Sequence, residues 1–350
     1  MRSLSSMPPR VSVVLPAYNA AATIAAAVAS IRAQTLTDWE LIVVDDGSTD
    51  DTAKVVAAIA RLDHRLTLLR ESHYGVTAAA NTGMTRATGE FVARMDADDV
   101  SLPERLARQA EFLASPANAD IGVVSSLVAF GGDRAAREGY ARHVDWLNTL
   151  VTPEAVALNR FIESPVANPS VMFRRELVAQ HGAFVAGDFP EDYELWLRWL
   201  DAGVRMAKLP DVLLQWNDPP SRITRNDPRY APEAFFRAKA PWVARELARL
   251  AESHGIREIY VWGAGRHTRK RAAHLESHGV RIAGYIDVDP KKTGRGLGGT
   301  GVPVLAEETV PAPGEVRVLG YVTTWGARDY IRTGLTGRGY VEGADFLMCA

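Results

Sequence analysis

Strands and helices take turns along the first 130 residues, and that alternation limits the folds open to the chain. The run VSVVLPAYN is followed by the helically spaced AAATIAAAVASIRAQ, ELIVV by TAKVVAAIARL, RLTLLRES by GVTAAANTGMTRATG, and EFVARM by PERLARQAEFLAS, before IGVVSSLVAF adds a further strand. Strands alternating with helices of about 10–15 residues predict an α/β fold, its mostly parallel sheet covered by helices on both faces. Pro16 is expected to stop the first strand. Ser48, Thr49 and Asp50 are suited to cap the helix that follows the second.

From about residue 131 to 164 the pattern weakens into loop and helical pieces, and NPSVMFRRELVAQHG, PEDYELWLRWLDAGV and MAKLPDVLLQW restore it. The segment NDPPSRITRNDPRY has little to bury and reads as loop. A long helix at about 232–254 leads to a second β-α-β unit beginning REIYVWGAGRHT and continuing through VRIAGYIDVD into a Gly-rich loop. The expected organisation is a larger α/β domain over 1–225, a helical connector over 226–254 and a smaller Rossmann-like α/β domain over 255–350.

In open parallel sheets ligands bind beyond the carboxyl ends of the strands. PAYN follows the first strand, DDGS the second and DADD the fourth, so Tyr18, Asp46, Asp96 and Asp98 are expected on one rim. Crowding Asp96, Asp98 and Asp99 into four residues sets carboxylates against one another. An Asp-x-Asp at a strand end offers two oxygen ligands on one side of an extended backbone, which suits Mg²⁺ or Mn²⁺ bound together with a diphosphate. The same residues could instead begin a turn or cap a helix.

The formal net charge of -2 argues against a bulk nucleic-acid partner. Cys349 is the only cysteine, so an intrachain disulfide is excluded and a reducing, cytoplasmic setting is expected. No segment approaches the roughly 20 apolar residues of a membrane-spanning helix, which leaves peripheral association with the inner face of a membrane open.

PAYN, DDGSTD, DADD and EDYELW, in that order, resemble the family 2 glycosyltransferases, whose catalytic domain has the GT-A fold; the likeness extends over about residues 10–225. It implies transfer of a sugar, with inversion, from a nucleoside-diphosphate sugar to an acceptor hydroxyl on a growing glycan or lipid-linked sugar. Pro16, Ala17, Tyr18 and Asp46 then correspond to the nucleoside-binding set, with a UDP donor favoured because a buried carboxylate can accept the uracil imide N–H. Asp96 and Asp98 correspond to the pair touching ribose and metal, and Asn81 and Arg94 lie in segments that line the donor site. Asp192 stands one turn before Leu195, Trp196, Trp199 and Leu200 on one helical face, and corresponds to the catalytic base; as a first-turn acid it would also suit the helix dipole. Arg222 and Arg225 are candidates to clamp the leaving diphosphate. Relatives often carry His where this chain has Asn168. Trp196, Trp199 and Trp216 could stack on a sugar, with core packing expected of the two helical ones.

Two other classes compete. GAG near residue 264, with Asp287 about 20 residues further on, resembles a dinucleotide fingerprint whose third glycine is replaced by Thr268, and would suit a nicotinamide-dependent sugar oxidoreductase. A noncatalytic nucleotide-binding scaffold is the other. Neither uses both DADD and EDYELW.

Overall fold

The computed structural model describes residues 8–219, 222–255, 257–294 and 301–350. The chain divides into two compact units, one of Met1–Ala157, Pro165–Gly187 and Glu194–Asp227, the other of Leu158–Ser164, Asp188–Tyr193 and Pro228–Ala350. The helix Pro232–His254, expected as a connector, falls within the second unit.

The first unit holds an eight-stranded sheet. Its strands are β1 (Val11–Ala17), β2 (Trp39–Asp45), β3 (Leu66–Arg70), β4 (Phe91–Arg94), β5 (Val100–Ser101), β6 (Ile121–Phe130), β7 (Met172–Arg174) and β8 (Arg205–Trp216), in the order β3-β2-β1-β4-β7-β6-β8-β5. β7 runs antiparallel to both neighbours and β5 antiparallel to β8, and the other pairings are parallel. Because side chains alternate across a strand, β1 sends Val13 and Leu15 into one core layer and Val14 into the other. The first layer takes Ile24, Val28 and Ile31 from the helix Ile24–Arg32, together with Leu106 and Leu113 from the helix Arg105–Ala114. The second takes Ala79 and Met84 from the helix Val76–Arg86, with Leu195, Trp196 and Trp199.

One local expectation gives way and another holds in part. Pro16 does not stop β1, which pairs with β2 as far as Ala17. Val14 C=O accepts from Met95 on the β4 side, so two residues on Pro16 turns its missing N–H toward the same side, where the β4 pairing has already ended. The helix Thr52–Ala60 begins after Asp51, which makes no side-chain cap bond; of the three expected caps Asp50 covers the first helical N–H, its Oδ1 accepting Thr52 N–H at 2.9 Å. The polar residues before it lace two loops together: Ser48 Oγ accepts Asn19 N–H at 2.9 Å, Asn19 Oδ1 accepts Thr49 N–H at 2.9 Å, and Asp50 accepts Ala21 N–H at 3.0 Å.

The second unit contains the parallel strands β9 (Glu258–Trp262), β10 (Ile282–Asp287), β11 (Val304–Ala306), β12 (Val316–Gly320) and β13 (Phe346–Met348), in the order β11-β10-β9-β12-β13. Lys239 of the long helix is buried there and donates to the carbonyls of Phe161, Ile162 and Cys349. Most of the expected Gly-rich loop, residues 295–300, lies outside the described residues, as do Pro220 and Ser221 of the expected loop after β8. Among the described residues no helix is long and apolar enough to cross a membrane.

Candidate active site

Pro16 and Ala17 bring β1 to the rim of the larger sheet, and Tyr18 follows them into the open, 45% exposed. Its ring stacks on His73 with centroids 4.0 Å apart. His73 has a positive φ of 62° and is held from below by Asp46, whose carboxylate lies 3.2 Å from Nδ1. The same buried carboxylate accepts Tyr74 N–H at 2.7 Å and Gly75 N–H at 2.9 Å. Asp46 therefore shapes the turn that supports the Tyr18–His73 stack, in keeping with the turn role open to it from sequence. Gly47 makes the close approach feasible: its φ is +73°, and a Cβ there would come within 2.8 Å of His73 N. Asp45, one residue earlier, is fully buried; neither of its oxygens has a hydrogen-bond partner, and Arg70 Nε is 3.5 Å away.

At the end of β4 the three aspartates sit among buried arginines. Arg94 is 1% exposed and donates to Val14 C=O at 2.9 Å and to Asp96 Oδ1 at 3.1 Å. Arg105 is fully buried behind it and donates to Arg94 C=O. Asp99 is buried, with one oxygen accepting Asn217 N–H at 2.8 Å and the other without a partner. Burial first, then repulsion from Asp96 and Asp98, holds its carboxyl well above the usual range. Asp98 is pushed up to about 6 by burial and by Asp96, against the opposing pull of Arg222. Asn217 also donates from Nδ2 to Asp98 C=O at 2.7 Å, so the end of β8 is tied to the acidic turn on both sides.

Arg222 does not dangle from an empty loop. It donates to the Tyr140 hydroxyl and lies over Trp216, 4.6 Å from the ring centroid. Arg225 pairs with the buried carboxylate of Asp218, Nε to Oδ1 3.0 Å. His73, Asp99, Asn217, Asp218 and Tyr140 thus join the site without having been singled out as site residues from sequence. The run DADD pointed to Asp99, while the other four depend on contacts between distant segments.

Among the described residues no group of three or more His, Cys, Asp or Glu could hold a metal ion alone. Asp96 and Asp98 instead stand as two carboxylates beside the partnerless oxygen of Asp99, and burial first, then Asp96, raises the Asp98 carboxyl. Such a set fits a hard divalent cation that keeps open positions for phosphate oxygens.

The remaining expected residues have different surroundings. Asn81 makes a paired amide bond with Phe184, donating to its C=O at 2.9 Å and accepting its N–H at 3.1 Å. Asn168 has a buried side-chain oxygen without a partner. Trp196 and Trp199 are 0% exposed and packed edge to face, and Trp199 donates to Gly182 C=O, so neither is a sugar platform. Trp216 is buried beneath Arg222. Glu191 and Asp192 open the helix Glu191–Asp201 and belong to the second unit. Glu191 is 6% exposed and its carboxylate accepts the Tyr230 hydroxyl, at 2.6 and 2.8 Å, whereas Asp192 is half-buried.

In the second unit GAG forms a strand-to-helix turn. Gly263 has φ +111°, and a Cβ there would meet Val322 at 2.8 Å and Thr268 at 3.0 Å. Asp287, the expected ribose acid, accepts Ala264 N–H at 2.8 Å and Asp289 N–H at 3.0 Å and pairs with Lys292 at 3.1 Å. Its carboxylate closes the turn on itself.

Residues 12–182 match the model of glycosyl transferase family 2. The amylovoran biosynthesis glycosyltransferase of Erwinia amylovora is 31% identical over 187 residues, covering 53% of this chain and 67% of its own. A mannosyltransferase of Pyrobaculum calidifontis, solved in complex with GDP-Man and Mn2+, aligns with a TM-score of 0.50 and 26% identity over 71% of this chain and 65% of its own. Residues 1–349 of S. aureus TarS, solved in complex with UDP-GlcNAc, align with a TM-score of 0.52 and 20% identity over 68% of this chain and 66% of that one, a likeness of fold alone. The chain thus spans just under two thirds of the length of each of these two solved chains. With its mostly parallel sheet matching GT-A structures and its acidic turn at the end of β4, the chain belongs to glycosyltransferase family 2.

Proposed function

We propose that the protein is a metal-dependent, inverting glycosyltransferase that moves a sugar from a UDP-sugar to an acceptor hydroxyl of a surface glycan or lipid-linked sugar. The observation that carries this reading is the crowded acidic turn of Asp96, Asp98 and Asp99, on the same sheet rim as the Tyr18–His73 stack. A Mg²⁺ or Mn²⁺ held by Asp96 and Asp98 would stabilise the negative charge that grows on the departing diphosphate.

The chain's own residues do the rest. The Tyr18–His73 stack offers a flat surface to the nucleobase, and Asp46, with lone pairs beyond those used by Tyr74 and Gly75, accepts the uracil imide N–H. Arg222, already drawn toward Asp98 and Asp99, turns to the diphosphate when the donor arrives. Asp192 takes the proton of the acceptor hydroxyl as that oxygen attacks the anomeric carbon from the face opposite the diphosphate. Glu191 is the weaker candidate because it is 6% exposed, whereas Asp192 is half-buried. Polysaccharide synthesis is supported by the Erwinia relative, and work on a growing glycan implies a cytoplasmic protein at the inner face of a membrane. The oxidoreductase reading loses support because Asp287 is engaged by its own turn.

A screen of UDP- and GDP-sugars with Mn²⁺, Mg²⁺ or EDTA, reading released nucleoside diphosphate and melting temperature, tests the proposal. Metal-dependent stabilisation and turnover with one UDP-sugar are expected. Turnover unchanged by EDTA would overturn the metal assignment, and preference for a GDP-sugar the base assignment.

A further inference from the structure

Charge is divided unevenly along this nearly neutral chain. Residues 228–350 carry 18 Lys and Arg against 13 Asp and Glu, a net of +5, which the unit's segments 158–164 and 188–193, with one Arg against four acids, reduce to +2, while the remainder of the chain carries -4. Asymmetry of this kind points to a basic surface with an anionic partner. The parallel sheet of the second unit locates it. β9, β10 and β12 are neighbours and end on the same side, so the residues just beyond them share one rim.

Beyond β9 the helix Arg266–Glu276 begins, with Arg266, His267 and Lys270 exposed, Arg266 and Lys270 one turn apart on one face. Beyond β10 come Val288, 57% exposed, and the exposed Lys291. Beyond β12 comes Trp325, 72% exposed, on a loop tied to that helix by Arg271 Nη1 donating to Thr323 Oγ1 at 3.2 Å. Two of the acids on this rim, Asp287 and Asp289, are answered by Lys292, and Asp329 is exposed nearby. Cations interleaved with a prominent indole and an aliphatic side chain suit a surface that is negative at its face and apolar just beneath. Each basic side chain near an anionic leaflet adds about fivefold in affinity, while Trp settles at headgroup depth.

We propose that this rim docks the protein on an anionic bilayer, with Trp325 entering the headgroup layer and Arg266, Lys270 and Lys291 meeting lipid phosphates. The inference rests on the proposed location at the inner face of a membrane, which it deepens by naming the docking surface, and on none of the residues of the transfer reaction. Flotation of the full-length protein with vesicles of phosphatidylcholine alone, or with about 30% phosphatidylglycerol, tests it. Binding is expected only to the anionic vesicles, weakening at 0.5 M NaCl, and falling at least tenfold in Arg266→Glu/Lys270→Glu and severalfold in Trp325→Ala. Brominated lipid should quench the wild type more than Trp325→Phe. All substituted positions are exposed, so unchanged melting and donor turnover in the variants would separate lost docking from lost folding or lost catalysis. Equal binding to neutral vesicles, wild-type binding by the charge-reversed variant, or no binding to either vesicle would overturn the proposal.

Discussion

Asp46 and Asp98 show how differently two carboxylates on one rim can be employed. Asp46 already accepts two backbone N–H groups, whereas Asp98 is held up by burial first and by Asp96 next, against the pull of Arg222. Asp98→Ala should therefore leave the melting temperature in EDTA within about a degree or two, while abolishing the stabilisation that UDP and Mn²⁺ together confer; calorimetry with both ligands reads this directly. Gly47→Ala should act through the other carboxylate. The new methyl would press on His73 N in a backbone region that disfavours side chains, with a cost of about 1–3 kcal/mol and a displaced Tyr18–His73 stack. Thermal melting and the donor KM would report the two effects separately. At Asp192 the amide variant keeps shape but cannot take a proton. Asp192→Asn is expected to lower transfer about 10²-fold or more with donor affinity retained. Near-normal transfer, measured on the same preparation, would move the base to Glu191.

At the scale of elements, the periodicity located β6 and the long helix Pro232–His254 closely, because ten apolar-rich and twenty-three helically spaced residues leave little ambiguity. β5 escaped notice because a two-residue strand has no period and exists only by pairing with β8. Pro16 misled for a related reason: whether a missing N–H matters depends on where the neighbouring strand ends. The site was legible where its residues cluster in sequence, as in DADD. It was illegible where Tyr140 reaches Arg222 or Asn217 reaches Asp99 across a long separation. A further element-level device, Asp63, was also invisible. It follows the helix Thr52–Ala60 and joins Arg65 at 2.9 and 3.0 Å and Arg32 at 3.1 Å, while Arg65 covers the ring of Trp39. The hydrogen bond from Arg65 foremost, helped by Arg32, holds its carboxyl well below the usual range. A depressed carboxyl stabilises the fold fully above its unfolded pKa of about 4 and loses that contribution as pH falls further. Asp63→Asn should thus cost about 1–2 kcal/mol at pH 7, and the gap to wild type should narrow between about pH 4 and 2, as pH-resolved denaturant melts would reveal.

For the whole molecule, the second unit has the strand order of a nucleotide-binding sheet but a rim whose one well-placed acid is already engaged. Full-length protein titrated with NADH should show no micromolar binding by fluorescence, and saturation there would reopen the oxidoreductase reading. The chain assignment also has a temporal side. Leu158–Ser164 and Asp188–Tyr193 belong with Pro228–Ala350, and the carbonyls of Phe161 and Ile162 receive Lys239. On the ribosome those early segments emerge first and must wait, at about 5–20 residues per second, for several seconds or longer until their partners follow. During that interval the first turn of the helix bearing Asp192 has no finished neighbourhood, so a nascent chain arrested just after its eight-stranded sheet has emerged should remain protease-sensitive at 158–164 and 188–193 while 165–187 is protected.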